Sequence, residues 1–223
     1  MHMKRHGILT AVALLTAATA WAQAPYANSG DHAVCASTQN YGVSETAGST
    51  YTWKLEPTGT STAAGAVLTT ATGPLTSVNW LQAGTYDLSI QEVSADHCEG
   101  PWSTIHVTVN PLPEQSNVTA STCSNEAIGY TLPATDDNGL TLTRWQIKSI
   151  NIPAGVTAAA GNAAVGSYTS AAALENDQFL NSNNTTAQVV YTITPYAGDC
   201  PGADFTLTVN VFRNLTAPVI YHE

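Results

Sequence analysis

Charge is scarce in this sequence. Lys, Arg, Asp and Glu make up 10 % of 223 residues, and only six of those are basic against sixteen acidic. With so few cations, nucleic acid is excluded as a partner, because binding there rests on Lys and Arg neutralising phosphates, and anionic membrane surfaces are disfavoured for the same reason. Long amphipathic stretches with a 3.6-residue apolar period are missing, which argues against a helical fold. No G-x-S-x-G elbow, H-E-x-x-H pair, Walker loop or EF-hand loop occurs, so the common hydrolase, metalloprotease, nucleotide and calcium-loop signatures are absent. There is no C-x-x-C spacing either, which removes the usual zinc sites. No metal or other cofactor is expected from these motifs, and the chain is not expected to be an enzyme.

The longest apolar run, Ile8 to Ala18, is shorter than the roughly 20 residues a bilayer-spanning helix needs. It follows the basic pair Lys4 and Arg5 and precedes Ala20-Trp21-Ala22, a small-x-small cleavage signature ahead of Gln23. Residues 1–22 therefore read as a signal peptide. Removing them takes away Lys4 and Arg5 and leaves four basic against sixteen acidic residues, a net charge of −12. No cysteine directly follows the cleavage site, so no lipid anchor is indicated, and no transmembrane segment is expected after cleavage. The chain reads as exported to the periplasm, the outer-membrane surface or the medium.

What is abundant is Thr, Ser, Ala, Gly and Asn, a mixture that suits strands joined by turns. One pattern occurs twice. Cys98-Glu99-Gly100-Pro101 leads into Val107-Thr108-Val109-Asn110, and Cys200-Pro201-Gly202-Ala203 leads into Leu207-Thr208-Val209-Asn210. Ile105, Val107 and Val109 alternate with polar residues, as do Phe205, Leu207, Val209 and Val211, so each closing strand has one buried face. Upstream, Tyr86, Leu88 and Ile90 in the first copy and Val189, Tyr191 and Ile193 in the second make partner runs. Each pair predicts a hairpin whose connection carries the cysteine. Trp53 and Trp145 fall on inward faces near the start of each copy.

Four cysteines in an exported chain read as two disulfides, for which three connectivities exist. The repeat selects Cys35–Cys98 and Cys123–Cys200, each inside its own copy, joining the opening strand to the turn before the closing strand. Closing such loops stabilises each module by about 4 kcal/mol in the chain-entropy picture. Between the copies, Asn110-Pro111-Leu112-Pro113-Glu114-Gln115-Ser116 holds two prolines that stiffen an extended spacer. The division is thus 23–112 for domain 1 and 113–223 for domain 2 with a C-terminal tail. Pro153 to Gly166 reads as loop or weak edge strand, and Ser170 to Leu180 as a short turn or loop helix.

The early Cys, the mid-module Trp, Val190-Tyr191-Thr192-Ile193-Thr194-Pro195, Cys200-Pro201-Gly202 and Leu207-Thr208-Val209-Asn210 together resemble PKD-like (polycystic-kidney-disease-type) domains of Bacteroidetes surface proteins. The resemblance covers residues 117–213. The first copy is similar to the same class more loosely, through Tyr51-Thr52-Trp53, Val78-Asn79-Trp80 and Gly84-Thr85-Tyr86. It implies two tandem immunoglobulin-like β-sandwiches of the kind found in adhesins, gliding-motility surface proteins and extracellular enzymes carried by type IX secretion. Such modules act as spacers or binding units and offer no catalytic residues to transfer. The family's exported members normally carry a C-terminal sorting domain, whereas this sequence stops at Ala217-Pro218-Val219-Ile220-Tyr221-His222-Glu223. It therefore reads as a periplasmic or partner-carried protein, a small stand-alone member, or an incomplete sequence. The alternation of Val219 and Tyr221 with Ile220 reads as an edge strand on its own sheet.

Few side chains remain as candidates for chemistry. His2 and His6 leave with the leader, while His32, His97, His106 and His222 are scattered and read as solvated. Glu92, Asp96 and Glu99 flank the first cysteine turn, and Asp136-Asp137-Asn138-Gly139 precedes a strand; either carboxylate group is a candidate calcium site, with Asp136 and Asp137 the named ligands. Asp-Asn-Gly is equally a common turn sequence, since Asn and Gly tolerate positive φ. Trp53, Trp80 and Trp145 read as core, whereas Trp102, just past a cysteine turn, is the candidate ligand-binding residue, able to stack on a sugar ring if exposed. The sequons at Asn117, Asn183, Asn184 and Asn214 read as chance products of an Asn/Thr-rich surface. The function expected is that of an exported, non-enzymatic cell-envelope structural or adhesion protein, gliding- or surface-adhesin-related, contacting another envelope or surface protein. The alternatives are a carbohydrate-binding module contacting polysaccharide, or an accessory fragment of an extracellular enzyme.

Overall fold

Alternating apolar and Thr/Ser-rich residues bury one face of a strand and wet the other, and this period governs the main strands of the described chain. A computed structural model describes residues 31–214, with Val219 and His222. The expected signal peptide at 1–22 and most of the expected tail strand lie outside those residues. Among them the strands are β1 (Asp31–Cys35), β2 (Thr38–Gly42), β3 (Thr50–Thr58), β4 (Ala66–Leu68), β5 (Leu75–Trp80), β6 (Gly84–Val93) and β7 (Ser103–Asn110), then β8 (Val118–Thr122), β9 (Arg144–Asn151), β10 (Val156–Ala158), β11 (Gly166–Tyr168), β12 (Phe179–Asn181), β13 (Ala187–Ala197), β14 (Cys200–Pro201) and β15 (Phe205–Val211). The only described helical pieces are 3₁₀ turns at Ala63–Gly65 and Ala171–Leu174. None is long and apolar enough to cross a membrane.

The first seven strands make a sandwich. One sheet has the order β1-β7-β6-β3 and faces a three-stranded sheet, β2-β5-β4. Val107, Val109, Tyr86, Leu88 and Trp53 from the first sheet meet Tyr41, Val78 and Trp80 from the second. Trp80, 1 % exposed, donates its indole N–H to Tyr41 Oη at 3.2 Å, and Trp53 donates to the carbonyl of Gly73 at 2.8 Å. Burying these rings with their polar atoms satisfied fixes the layer spacing.

A second, separate apolar core belongs to the later strands, whose main sheet runs β11-β9-β13-β15-β8 with β14 beside β13. Its opposing layer is mostly irregular: Ile128, Leu132, Leu142 and Leu174 come from loops and a turn, and only the small β10-β12 pair supplies strand. Sequence periodicity is obeyed closely, since Phe205, Leu207, Val209 and Val211 are each fully buried. In β9 the register shifts opposite Thr192/Ile193, leaving Lys148 outside the ladder as a bulge, and its ammonium reaches Asp204 at 2.7 Å. Both predicted hairpins form, as β6 with β7 and β13 with β15, and both connections carry their cysteine.

Candidate functional site

Each half opens with a strand that lies parallel to its closing strand, and this decides where the cysteines go. β1 runs alongside β7 with Cys35 opposite Asn110, the last residue of β7. Cys98 precedes Ser103, the first residue of β7, so the two sulfurs sit at opposite ends of the sheet. Eight strand residues separate those ends by about 25 Å, whereas a disulfide tolerates Cα atoms no more than about 7 Å apart. The second half repeats the arrangement. Thr122, just before Cys123, pairs with Val211, while Cys200 comes before Phe205 at the other end of β15.

The expected bridges Cys35–Cys98 and Cys123–Cys200 are therefore corrected. Cys35 joins Cys200, with Cα atoms 5.4 Å apart, and Cys98 and Cys123 are free and exposed. An antiparallel opening strand would have brought Cys35 to the Cys98 turn; the parallel one sends it to the far end. The bridge crosses from the first core to the second. No described hydrogen bond joins residues 31–110 directly to 118–214; the bridge and the intervening peptide link them covalently, and residues of both halves come together around the bridge.

That peptide is itself clamped. Glu114 donates its backbone N–H to Asp136 Oδ2 at 2.8 Å, and Ser116 donates to Asp137 Oδ2 at 2.7 Å. The backbone N–H of Asp137 returns to the Glu114 carbonyl at 3.0 Å. Asp136 Oδ1 meanwhile accepts from Asn138 at 2.9 Å and Leu140 at 2.7 Å. Burial alone would raise the Asp136 carboxyl, but the N–H groups of Glu114, Leu140, Asn138 and Gly139 outweigh it and hold it below the ordinary carboxylate value. The pair read as calcium ligands thus spends three of its oxygens on backbone donors and the fourth, Asp137 Oδ1, on the Gln115 side-chain amide at 3.1 Å, and among the described residues no group of three His, Cys, Asp or Glu is placed to hold a metal.

Gly202, in the turn that carries Cys200, explains its own identity here. A Cβ at this position would collide with the Pro113 carbonyl oxygen. Its N–H donates to the Pro195 carbonyl at 2.8 Å, as Gly100 donates to Glu92 at 2.8 Å in the first copy, so the two cysteine turns are built alike. Around the bridge lies a cavity of about 420 Å³ bordered by Cys35, Asn110, Pro111, Thr141, Gly198 and Cys200. Val34 and Leu140 add apolar lining, and Asp199 is its one carboxylate.

The other candidates are dispersed. Trp102 stands 46 % exposed at the entry to β7, while Trp53, Trp80 and Trp145 are buried as the sequence indicated. On the outer face of the β3-β6-β7 sheet, His106 Nδ1 and Asp87 Oδ1 lie 2.6 Å apart and Ser89 pairs with Thr104 at 2.8 Å. Glu92 is held below its usual value by the side chains of Ser49, Thr46 and Tyr51, with Asp96 and Glu99 exposed in the turn beyond. His32, His97 and His222 are exposed and apart.

Sequence reasoning missed one buried polar pair. Asp177, 2 % exposed, accepts the Tyr191 hydroxyl at 2.6 Å and the Ala163 N–H at 2.8 Å. Desolvation pushes both the carboxyl and the phenol up. The pair pins the 163–177 loops over the sheet, and a Tyr on an inward strand position was its only sequence sign.

The hairpin and its cysteine turn hold residues 190–195, Cys200-Pro201-Gly202 and residues 207–210, the segments that carried the family resemblance. Residues 120–214 match the PKD-like domain family. The match spans less than half of the chain and contains nearly all of the second core. No curated protein matches the sequence. Among solved structures, the chain is similar to fibronectin(III)-like modules of Clostridium thermocellum CbhA, at 12 % identity, with 86 % of this chain and 94 % of that one covered and a TM-score of 0.34. It is also similar to titin domains A168-A170, at 14 % identity, 79 % and 59 % coverage and a TM-score of 0.33. A third likeness is to the Bacteroides ovatus protein SGBP-B, solved with a mixed-linkage heptasaccharide, at 17 % identity, 81 % and 42 % coverage and a TM-score of 0.26. At such scores these likenesses say nothing about a ligand or partner of the PKD-like segment or of the residues before it.

Proposed function

We propose that this chain is an exported, non-enzymatic cell-envelope protein of the type found on Bacteroidetes surfaces. Its modules, 23–112 and 113–223, work as a stiff spacer or adhesion unit through protein–protein contacts. The observation that carries this reading is the Cys35–Cys200 bridge across two separately packed cores. Placed between two cores that share no described hydrogen bond, a disulfide together with the clamped linker at 114–116 restrains their relative movement, which is what a spacer needs. It also implies an oxidising compartment, in keeping with the leader at 1–22. The PKD-like match over 120–214 supports the same assignment.

A second reading rests on the exposure of Trp102, which leaves a large ring available to stack on a sugar at one end of an open sheet face. Crosslinking intact cells and adding external protease tests the first. Cleavage from outside and crosslinks to an envelope protein are expected; a chain recovered reduced from the cytoplasm contradicts it. For the second, soluble polysaccharides should shift tryptophan fluorescence in the native chain and not in Trp102→Ala.

A further inference from the structure

The internal bridge has a type. It joins the cysteine at the end of one half's opening strand, Cys35 after β1, to the cysteine in the other half's hairpin connection, Cys200 between β13 and β15. The two cysteines left over are the complementary members of the same two kinds. Cys123 ends the opening strand β8, and Cys98 sits in the connection between β6 and β7. Both are exposed. Cys98 lies at the end of the first sheet away from the bridge, and Cys123 at the end of the second sheet away from it, by the strand registers given above. Within one chain the two are left unpaired and exposed, so Cys98 of one copy is open to Cys123 of the next.

From this we infer that the protein couples head to tail with further copies of itself through Cys123 of one chain and Cys98 of the next. Each new joint repeats the kind of joint already inside the chain. The contact is heterologous, so it does not close on a two-fold axis and grows as a linear array. The chemistry needs an oxidant, and a small-molecule or protein disulfide is the class that supplies it. The Cys98 thiolate attacks one sulfur of that disulfide and expels the other as a thiolate. The Cys123 thiolate of the next copy then attacks the mixed disulfide at Cys98 and expels the second thiolate. Two protons leave the protein thiols, two electrons reduce the donor to two thiols, and one protein–protein S–S bond remains. Asp96 and Glu99 flank Cys98 and Glu126 follows Cys123, so both meeting surfaces are acidic. Coupling therefore runs faster as salt screens the repulsion.

The inference rests on the export proposed above, because cytosolic thiols stay reduced, but its test does not. The purified chain, with the Cys35–Cys200 bridge verified by mass, is incubated with a glutathione/oxidised glutathione buffer and run without reductant. A ladder of dimers, trimers and longer species is expected, collapsing on reduction, with Cys98–Cys123 the linked peptides. Cys98→Ser and Cys123→Ser should each stay monomeric alone and give a dimer, and nothing longer, when mixed. No ladder from the native chain, or single variants that dimerise as readily as the mixture, would overturn the proposal. Recovery of the native protein from the cytoplasm would instead overturn the export reading and leave the result in the glutathione buffer intact.

Discussion

Removing both partners of the bridge, as Cys35→Ser with Cys200→Ser, tests how far one covalent tie determines stability. The bond closes a sequence separation of 165 residues. Loop closure of that length restricts the unfolded chain by about 5 kcal/mol in the chain-entropy treatment, before any native strain reduces it. Unfolding entropy of about 2.1 cal/mol/K per residue over the 31–214 span gives roughly 0.4 kcal/mol/K, so the melting temperature should fall by about 10–15 °C. Calorimetry on alkylated samples, with Cys98 and Cys123 capped against exchange, reads this directly. The single variants Cys98→Ser and Cys123→Ser serve as the contrast, since exposed thiols without partners should matter by no more than about 0.5 kcal/mol. A double variant that melts with the native chain, or a Cys98→Ser variant that loses as much as it does, would refute the reasoning.

Other outcomes follow from the same geometry. Dyes placed by maleimide on Cys98 and Cys123 should report a distance distribution that broadens in the Cys35→Ser/Cys200→Ser background, where the covalent tie between the halves is gone. Tyr191→Phe leaves a buried Asp177 oxygen without its 2.6 Å donor and should cost about 1–3 kcal/mol in denaturant unfolding. The Asp177 carboxyl is raised in the fold, so its contribution is complete below the ordinary Asp value and fades as pH rises through the folded one; Asp177→Asn should flatten that slope. Asp136 is the opposite case. Its carboxyl is lowered, so its contribution is present above the ordinary value of 3.8 and is lost as pH falls through the folded one, with amide exchange at Glu114 and Ser116 rising in step. Gly202→Ala should displace Pro113 and speed exchange at the same amides.

Much of this fold is written in period 2. The inward positions of β7, β13 and β15, the buried Trp53 and Trp145, and the cysteine-bearing hairpin connections were all legible, because a half-buried strand imposes alternation on its own residues. The bridge was not. Intramodule pairing follows if the opening strand runs antiparallel to the closing one, and nothing in Asp31–Cys35 or Val118–Thr122 distinguishes the two directions, since both bury the same face. Asp136 and Asp137 show a related limit. Their carboxylates looked available for a cation because the sequence lists side chains and not the backbone N–H groups that the linker at 114–116 brings to them. Asp177 was invisible for a third reason, as it lies in an irregular turn whose packing against Tyr191 of β13 no periodicity announces.

Peptide mapping of the exported monomer under non-reducing conditions tests the central claim most directly, because the cross-core bridge and the two intramodule staples give different linked peptides. The account expects Cys35 linked to Cys200. Finding Cys35 linked to Cys98, with Cys123 linked to Cys200, would contradict it.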